Sequence, residues 1–209
     1  MPLQNTKENT KAEFDRLLQL RNEHPEKAAD IDAKIRDRFA ETHALMVLDM
    51  AGFSRFTQRY SIIHFLAALR RLCAIAIPVI EQHQGMMVKQ DADNIFAIFP
   101  EVNCAIEAAL DINQSLTAVN SGLPDTLDLH VGVGIGYGEL LMIEGHDMFG
   151  NEMNLASKLG EDLARSGEIL VTEAAYKQVN SPQWSWEELE YSISGLSLVT
   201  YKVGKAIAI

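Results

Sequence analysis

The fold is predicted outward from the stretch Ala44-Leu-Met-Val-Leu-Asp-Met-Ala-Gly52, in which an apolar strand pattern is followed by an acid and a glycine turn. Ala44 to Leu48 form a continuous apolar run of strand length, and Asp49 follows it directly. Gly52 marks the turn, since glycine is typical of tight reversals. The apolar spacing beyond it predicts a long helix over about residues 57–84. Its predicted buried stripe contains Phe65, Leu66, Leu69, Leu72, Cys73 and Ile77.

Outward from this strand, strand and helix patterns alternate along the chain. The predicted elements are a hairpin of 86–89 and 95–99, a helix from 101 to about 120, a glycine-rich strand over 127–136 continued at 140–143, a helix over 151–163, a strand at 168–172, a short helix from 172 or 173, and strands between 186 and 203. The order is β-α-β-β-α-β followed by β-α-β-β. It predicts an α+β fold with a ferredoxin-like βαββαβ core and a C-terminal βαββ extension.

Residues 1–41 differ in composition from the rest of the chain. Charged residues fill most positions, and Leu17, Leu18 and Leu20 are the clustered large apolar side chains. Pro25 divides the segment into two predicted short helices, about 7–23 and 25–40. We therefore expect a helical N-terminal appendage over 1–41 and a second domain over 42–209. The pattern fits a docked appendage and also a signal-transmitting or dimerising helix.

The composition limits the classes of partner. The chain has 209 residues with 47% hydrophobic content, which is typical of a globular protein. A net charge of −11 argues against nucleic acid or anionic lipid as the main partner. Two cysteines are too few for a disulfide framework or a zinc ribbon. The longest apolar run, 72–80, is shorter than the ~20 residues that span a bilayer, and the first residues lack the apolar core of a signal peptide. We expect no membrane insertion and a cytoplasmic location.

Two acidic residues occupy comparable places. Asp49 ends the first strand, and Asp93 lies in the turn of the predicted hairpin. In a βαββ arrangement the first and third strands are neighbours, so both carboxylates can reach one edge of the sheet. Carboxylates that close repel each other unless a cation lies between them, and Mg2+ favours one or two protein carboxylates. From the residues alone, a turn cap at Asp49 and an ordinary hairpin turn at Asp93 fit as well.

The segment after Asp49 adds a place for an anion. Met50-Ala-Gly-Phe-Ser54 leads into the predicted helix, so its backbone N–H groups can point at a phosphate. Gly52 permits close approach of the main chain. Strand, acid, glycine turn and helix together indicate a cradle for a metal ion and a triphosphate.

Four segments in register carry a resemblance to a known family. They are Leu48-Asp-Met-Ala-Gly-Phe-Ser54, Lys89-Gln-Asp-Ala-Asp-Asn-Ile-Phe-Ala-Ile-Phe99, Asp147-Met-Phe-Gly-Asn-Glu-Met-Asn-Leu-Ala-Ser-Lys158 and Gly167-Glu-Ile-Leu-Val-Thr172. Together they resemble the catalytic domain of the class III nucleotidyl cyclases, over about residues 43–203. The fold expected from the element order agrees with this family.

The resemblance implies a two-metal site. Two Mg2+ or Mn2+ ions would be held by Asp49, Asp93 and the backbone carbonyl of Met50. The turn residues Gly52, Phe53 and Ser54 would contact the substrate. The 3′-hydroxyl of the ribose would attack the α-phosphorus in line, and pyrophosphate would leave.

The resemblance also assigns the base-reading and catalytic side chains. Lys89 and Asp147 match the pair found in adenine-using members, where guanine-using members tend to carry Glu and Cys. A lysine can donate to adenine N1, and an aspartate can accept from its 6-amino group. Asn154 matches the asparagine that orients the ribose, and Lys158 takes the place of the arginine that stabilises the transition state. Residues at i and i+4 share a helix face, as this pair requires.

The implied function is an adenylyl cyclase that converts ATP to 3′,5′-cyclic AMP at the interface of a homodimer. In this family the metal acids come from one protomer and the base readers with the Asn/Arg pair from the other, and this chain carries both sets. Two alternatives remain open at this stage. One is a catalytically weak or inactive cyclase-like module that binds nucleotide or regulates a partner, and the other is a cyclase for a different NTP.

Overall fold

The computed structural model describes residues 9–51, 61–193 and 196–206. The helices among them are α1 (Lys11–Glu23), α2 (Ala28–Phe39), α3 (Ile62–Gln82), α4 (Val102–Asn120), α5 (Asn151–Ser157) and α6 (Glu173–Tyr176). The strands are β1 (Ala40–Met50), β2 (Met86–Asp91), β3 (Asn94–Phe99), β4 (Val131–Ile143), β5 (Asp147–Phe149), β6 (Ile169–Thr172), β7 (Trp184–Ile193) and β8 (Leu196–Ala206).

One mixed sheet organises the described residues. Its strand order is β2-β3-β1-β4-β6-β8-β7, and β5 pairs with β4 outside this path. β1 runs antiparallel to both β3 and β4, whereas β6 lies parallel to β4. The first four strands, in the order β2-β3-β1-β4, are the sheet of a ferredoxin-like core. The predicted α+β architecture is thus confirmed, including the adjacency of the first and third strands.

Alternate residues of β1 face two different cores. Met46 and Leu48 join the cluster covered by α3 and α4, while Leu45 and Val47 join a smaller cluster on the opposite face, which includes Ala156 of α5. Because successive side chains of a strand point to opposite faces, Asp49 shares the α5 side with Val47. This placement puts the first candidate acid on the face that α5 covers.

Helix α3 buries most, but not all, of its predicted stripe. Seven of its side chains are buried, namely Phe65, Ala68, Leu69, Leu72, Cys73, Ala76 and Ile80. The prediction for Leu66 is wrong, because its side chain is 54% exposed. By length and composition α3 would suffice to cross a membrane, a property that core helices of soluble proteins share. Its predicted first residues, 57–60, lie outside the described ranges.

The glycines of β4 allow a helix to lie directly on the sheet. A Cβ at Gly132 would come within 2.8 Å of the carbonyl oxygen of Gly160, and one at Gly134 would overlap the carbonyl oxygen of Ala156. Neither obstacle is a flexible side chain. α5 and the segment that follows it pack directly against the backbone of β4, so residues 132 and 134 have no room for a side chain.

Two further local predictions differ from the structure, and one short strand was not predicted. β4 is a single strand from Val131 to Ile143, where two pieces starting at residue 127 were expected. The helix predicted over 151–163 is α-helical only to Ser157, and Lys158–Leu163 form a π-helix. β5, with three residues, carries no periodicity that a sequence pattern reveals.

The N-terminal helices pack on the hairpin formed by β4 and β5. Phe14, Leu17, Ile31, Ile35 and Phe39 form a buried cluster with Ile143 of β4. Asn9 adds two hydrogen bonds, since its Nδ2 donates to the carbonyl of Met142 at 3.1 Å and its Oδ1 accepts from the N–H of Glu144 at 2.9 Å. The helix bounds agree with the predicted 7–23 and 25–40 to within a few residues.

Candidate active site

The two predicted metal acids lie on neighbouring strands. Asp49 is the last but one residue of β1, and Leu48 pairs with Ile95 of β3, so Asp49 is level with Asn94. Asp93 precedes Asn94 in the turn between β2 and β3, with only 7% of its surface exposed. The register therefore brings the two carboxyl groups to the same end of the β1–β3 pair.

The electrostatics of this corner are unfavourable without a cation. Burial raises the pKa of Asp49 from 3.8 to about 7, with further contributions from the negative charges of Asp93, Glu161 and Asp162. Burial likewise raises the pKa of Asp93 and of Glu161 above their ordinary values. Carboxyl groups with raised pKa values cluster at functional sites.

The donor set fits a hard divalent cation that also binds substrate. Within the described ranges, no group of three or more His, Cys, Asp or Glu side chains is close enough to hold a metal ion by itself. Two carboxylates and a main-chain oxygen are what Mg2+ needs when phosphates and water complete its shell. Met50 is 4% exposed and packs in the core, so only its carbonyl is available as a ligand. Gly52, Phe53 and Ser54 lie outside the described residues.

Two acids that the sequence analysis did not single out lie beside this corner. Glu161 accepts a hydrogen bond from Asn94 Nδ2 at 3.1 Å, and Asp162 forms an ion pair with Lys158. Both belong to the π-helix that follows α5, and π-helical turns are frequent at functional sites. The adjacent acids at positions 161 and 162, within a turn of Lys158, were the sequence signal for them.

The proposed catalytic pair lies on α5 and at its end. The side chain of Asn154 is exposed, and Lys158 lies one turn further on, where α5 gives way to the π-helix. Lys158 Nζ is 2.8 Å from Asp162 Oδ2, so its charge is already paired within the chain. Both residues thus share a helix face that is open to solvent, while the lysine is held on the side of the acids.

Helix α5 is fixed to the sheet by one carboxylate. Glu152 Oε2 accepts from the backbone N–H of Tyr137 at 3.2 Å and from Thr172 Oγ1 at 2.8 Å. It therefore links α5 to β4 and β6 at the same time. This anchoring fixes the position of α5 on the sheet, and with it the positions of Asn154 and Lys158.

The two predicted base readers are in direct contact. Lys89 Nζ lies 2.6 Å from Asp147 Oδ1, and both side chains are partly buried, with 23% and 35% of their surfaces exposed. The ammonium also lies over two rings, 5.2 Å from the centroid of Phe96 and 5.7 Å from that of Phe149. The structure thus joins two residues that are 58 positions apart in the sequence.

A β-bulge aims Lys89 at this partner. Met87 pairs with Ala97, but Lys89 pairs with Phe96, so Val88 is an extra residue in the strand. Without the bulge Lys89 would lie opposite Ile95 and face α3 and α4, because a shift by one residue reverses every side chain. The bulge instead places Lys89 on the face of Phe96, where Asp147 lies.

Known proteins resemble this chain in sequence. The model of the adenylate and guanylate cyclase catalytic domain matches residues 37–204. A putative adenylate cyclase 3 of Rhizobium meliloti is 28% identical over 146 residues, which is 70% of this chain but 24% of that protein, so the chain spans about a quarter of this relative.

Solved structures share the fold. The catalytic core of a rhodopsin-guanylyl cyclase with converted specificity, in complex with ATPαS, is similar with a TM-score of 0.69 and 18% identity, over 80% of this chain and 99% of that one. The adenylate/guanylate cyclase/hydrolase from Silicibacter pomeroyi has a TM-score of 0.63 and 24% identity, over 79% and 97% of the two chains. Because the family model covers most of the chain, this protein belongs to the adenylate and guanylate cyclase catalytic domain family.

Proposed function

We propose that this cyclase domain uses ATP and forms 3′,5′-cyclic AMP and pyrophosphate. The observation that supports this choice of base is the contact between Lys89 and Asp147 at 2.6 Å. The pair presents one strong donor and one strong acceptor side by side at a partly exposed position. Adenine offers an acceptor at N1 and a donor at its 6-amino group, while guanine reverses both.

The acid corner is the proposed site of the phosphates. Two Mg2+ or Mn2+ ions held by Asp49, Asp93 and the carbonyl of Met50 would activate the ribose 3′-hydroxyl and neutralise the triphosphate. The chain itself supplies the fixed geometry: β1 and the β2–β3 turn hold the two carboxylates at one end of neighbouring strands. Protons compete with a cation for both carboxylates, and burial raises the pKa of each, so metal affinity falls as the pH is lowered.

Asn154 and Lys158 are proposed to act on the ribose and the triphosphate. Asn154 is exposed and free to orient the sugar. Lys158 would exchange its contact with Asp162 for a phosphate oxygen, because its side chain is 41% exposed and is bound to a side chain one turn further along the same helical segment. A lysine lacks the two-pronged donor geometry of arginine, so we expect slow turnover.

The complete site is proposed to form between two copies of the chain. A two-fold dimer would contain two equivalent sites, each with the acids of one protomer and Lys89, Asp147, Asn154 and Lys158 of its partner. The family resemblance supports this arrangement, and the exposed position of Asn154 is compatible with contact to a second chain.

Mixing two inactive variants tests the shared site. In a 1:1 mixture of Asp93→Asn and Asn154→Ala chains, half of the dimers are mixed, and one of their two sites carries no substitution. About a quarter of the wild-type rate should therefore return, measured as cyclic product after the variants are refolded together. No recovery, with mixed dimers present by mass spectrometry, would place all site residues in one chain.

The reaction itself is tested with each of the four NTPs. Purified protein with Mn2+ should convert ATP to a cyclic monophosphate and pyrophosphate, with the other three NTPs turned over at least about tenfold more slowly. Chromatography of the products distinguishes cyclisation from hydrolysis. A cyclic product mainly from GTP or a pyrimidine nucleotide would overturn the adenine assignment while keeping the enzyme class.

One observation favours the second candidate, a module that binds nucleotide without turnover. Lys158, the proposed transition-state cation, is bound to Asp162 and stands in place of arginine. Nucleotide binding without cyclic product from any NTP would support this candidate.

A further inference from the structure

A line of aromatic rings connects the N-terminal helices to Lys89. Phe39, at the end of α2, contacts Phe14 of α1 edge to face, with ring centroids 5.2 Å apart. Phe14 in turn stacks on Phe149 of β5, with centroids 6.0 Å apart and planes within 9° of parallel. Phe149 then lies under the ammonium of Lys89. The line ends at the ion pair between Lys89 and Asp147.

The side chain of Phe149 is only partly packed. Its side chain is 41% exposed, and part of it lines an open cleft together with Leu18 and Ile35. Phe14, by contrast, is 7% exposed and belongs to the buried cluster of the helix pair. A buried ring that stacks on an exposed one restricts the rotamers of the exposed ring, so Phe14 determines where Phe149 lies.

The position of Phe149 matters for Lys89. An ammonium is attracted to the face of an aromatic ring within about 6 Å of its centroid, and two rings, Phe96 and Phe149, satisfy this distance. Phe96 belongs to the sheet and is 5% exposed, so it is a fixed wall. Phe149 is the second ring, and it is less buried than Phe96. As residue i+2, it lies on the same side of β5 as Asp147.

We infer that Phe149 is a positioning residue for Lys89, and that Phe14 holds Phe149 in place, so that the N-terminal helix pair tunes recognition of the base. The inference rests on the proposed role of Lys89 and Asp147 in reading adenine. It assigns to residues 10–39 an effect on nucleotide selection.

The test measures binding without turnover. 3′-Deoxy-ATP and 3′-deoxy-GTP lack the attacking hydroxyl, so their affinities in the presence of Mn2+ report base recognition alone, and inorganic triphosphate reports the phosphate site. Phe149→Leu keeps an apolar side chain but removes the ring face. It should weaken binding of 3′-deoxy-ATP by about three- to tenfold and leave triphosphate binding unchanged. Phe149→Tyr should restore wild-type affinity.

Two variants of α1 separate the ring from general packing. Phe14→Leu should weaken 3′-deoxy-ATP binding in the same direction as Phe149→Leu, by about two- to threefold. Leu17→Ala removes buried volume from the same cluster but no ring stacked on Phe149, and it should leave the ratio of the two nucleotide affinities unchanged. Thermal melts establish that each variant is folded.

The outcomes distinguish this inference from the function on which it rests. If the wild type binds both deoxynucleotides equally, the adenine-reading role of Lys89 is wrong and the inference falls with it. If the wild type prefers 3′-deoxy-ATP but Phe149→Leu keeps that preference, only the positioning role is wrong. Equal losses of nucleotide and triphosphate binding would show a structural effect and would also overturn it.

Discussion

Replacing Asp49 with asparagine should abolish cyclisation and, at the same time, stabilise the folded protein above neutral pH. The rate should fall by about a thousandfold or more, because a metal clamp supplies several kcal/mol of transition-state stabilisation. The gain in stability follows from the electrostatics of the corner, where the pKa of Asp49 is raised to about 7. Cyclic product and denaturant unfolding are the two measurements.

The sign of the stability change depends on pH. An aspartate whose folded pKa lies above its unfolded value stabilises the fold while protonated, and this stabilisation is lost as the pH rises from about 4 through about 7. At pH 8 the metal-free wild type therefore has the full cost of a charged Asp49, and the asparagine variant does not. With partial solvent screening the difference is ~1–2 kcal/mol at pH 8 and disappears near pH 4.

Asp125→Asn is the matched control, because it makes the same chemical change at an exposed carboxylate outside the site. It should change neither activity nor the pH dependence of the free energy of unfolding. Mn2+ should stabilise the wild type and the control but not Asp49→Asn, since a ligand stabilises only the state that binds it. Retained cyclase activity in Asp49→Asn would refute the metal assignment.

Exchanging Lys89→Glu and Asp147→Cys together should shift the nucleotide preference away from ATP. The exchange replaces the donor for adenine N1 with an acceptor and removes the acceptor for the 6-amino group. We expect the ratio of kcat/KM for ATP to that for GTP to fall by about a hundredfold, since hydrogen bonds to charged groups contribute ~1.5–3 kcal/mol each. Both changes are made together because Lys89→Glu alone would place two carboxylates against each other at this partly buried position.

Lys177→Glu provides the control for charge reversal. Lys177, which directly follows α6, pairs with Glu173 at 2.6 Å, but both side chains are more than half exposed. Exposed pairs of this kind contribute little, so the variant should keep the wild-type ratio. An unchanged ratio in the Lys89 and Asp147 double variant, with activity retained, would exclude these residues as base readers.

The core topology was predictable because it depends on local patterns. The apolar run before Asp49 and the polar turn around Asp93 fix two strands and their order, and the structure confirms both. Because the strands next to them are neighbours, Asp49 and Asp93 lie at the same end of the β1–β3 pair. The family resemblance linked Lys89 with Asp147, a pairing of distant residues that periodicity cannot reveal.

The features that sequence patterns missed depend on long-range contacts. A glycine-rich segment has a low strand propensity. The close approach of the backbone of Ala156 and Gly160 explains why β4 needs Gly132 and Gly134. The π-helix is invisible because an α-helical pattern continues through residue 163. Leu66 fits the apolar period of α3 but lies where no described element covers it.

The junction between α2 and β1 has a mechanical consequence. The helix ends at Phe39 and the strand starts at Ala40, so no flexible linker separates them. From Ala40 onward every residue of β1 is paired with β4 up to Met50, next to Asp49. We therefore expect a tilt of the N-terminal helices to move the central strand directly, so this junction suits the attachment of an engineered sensor.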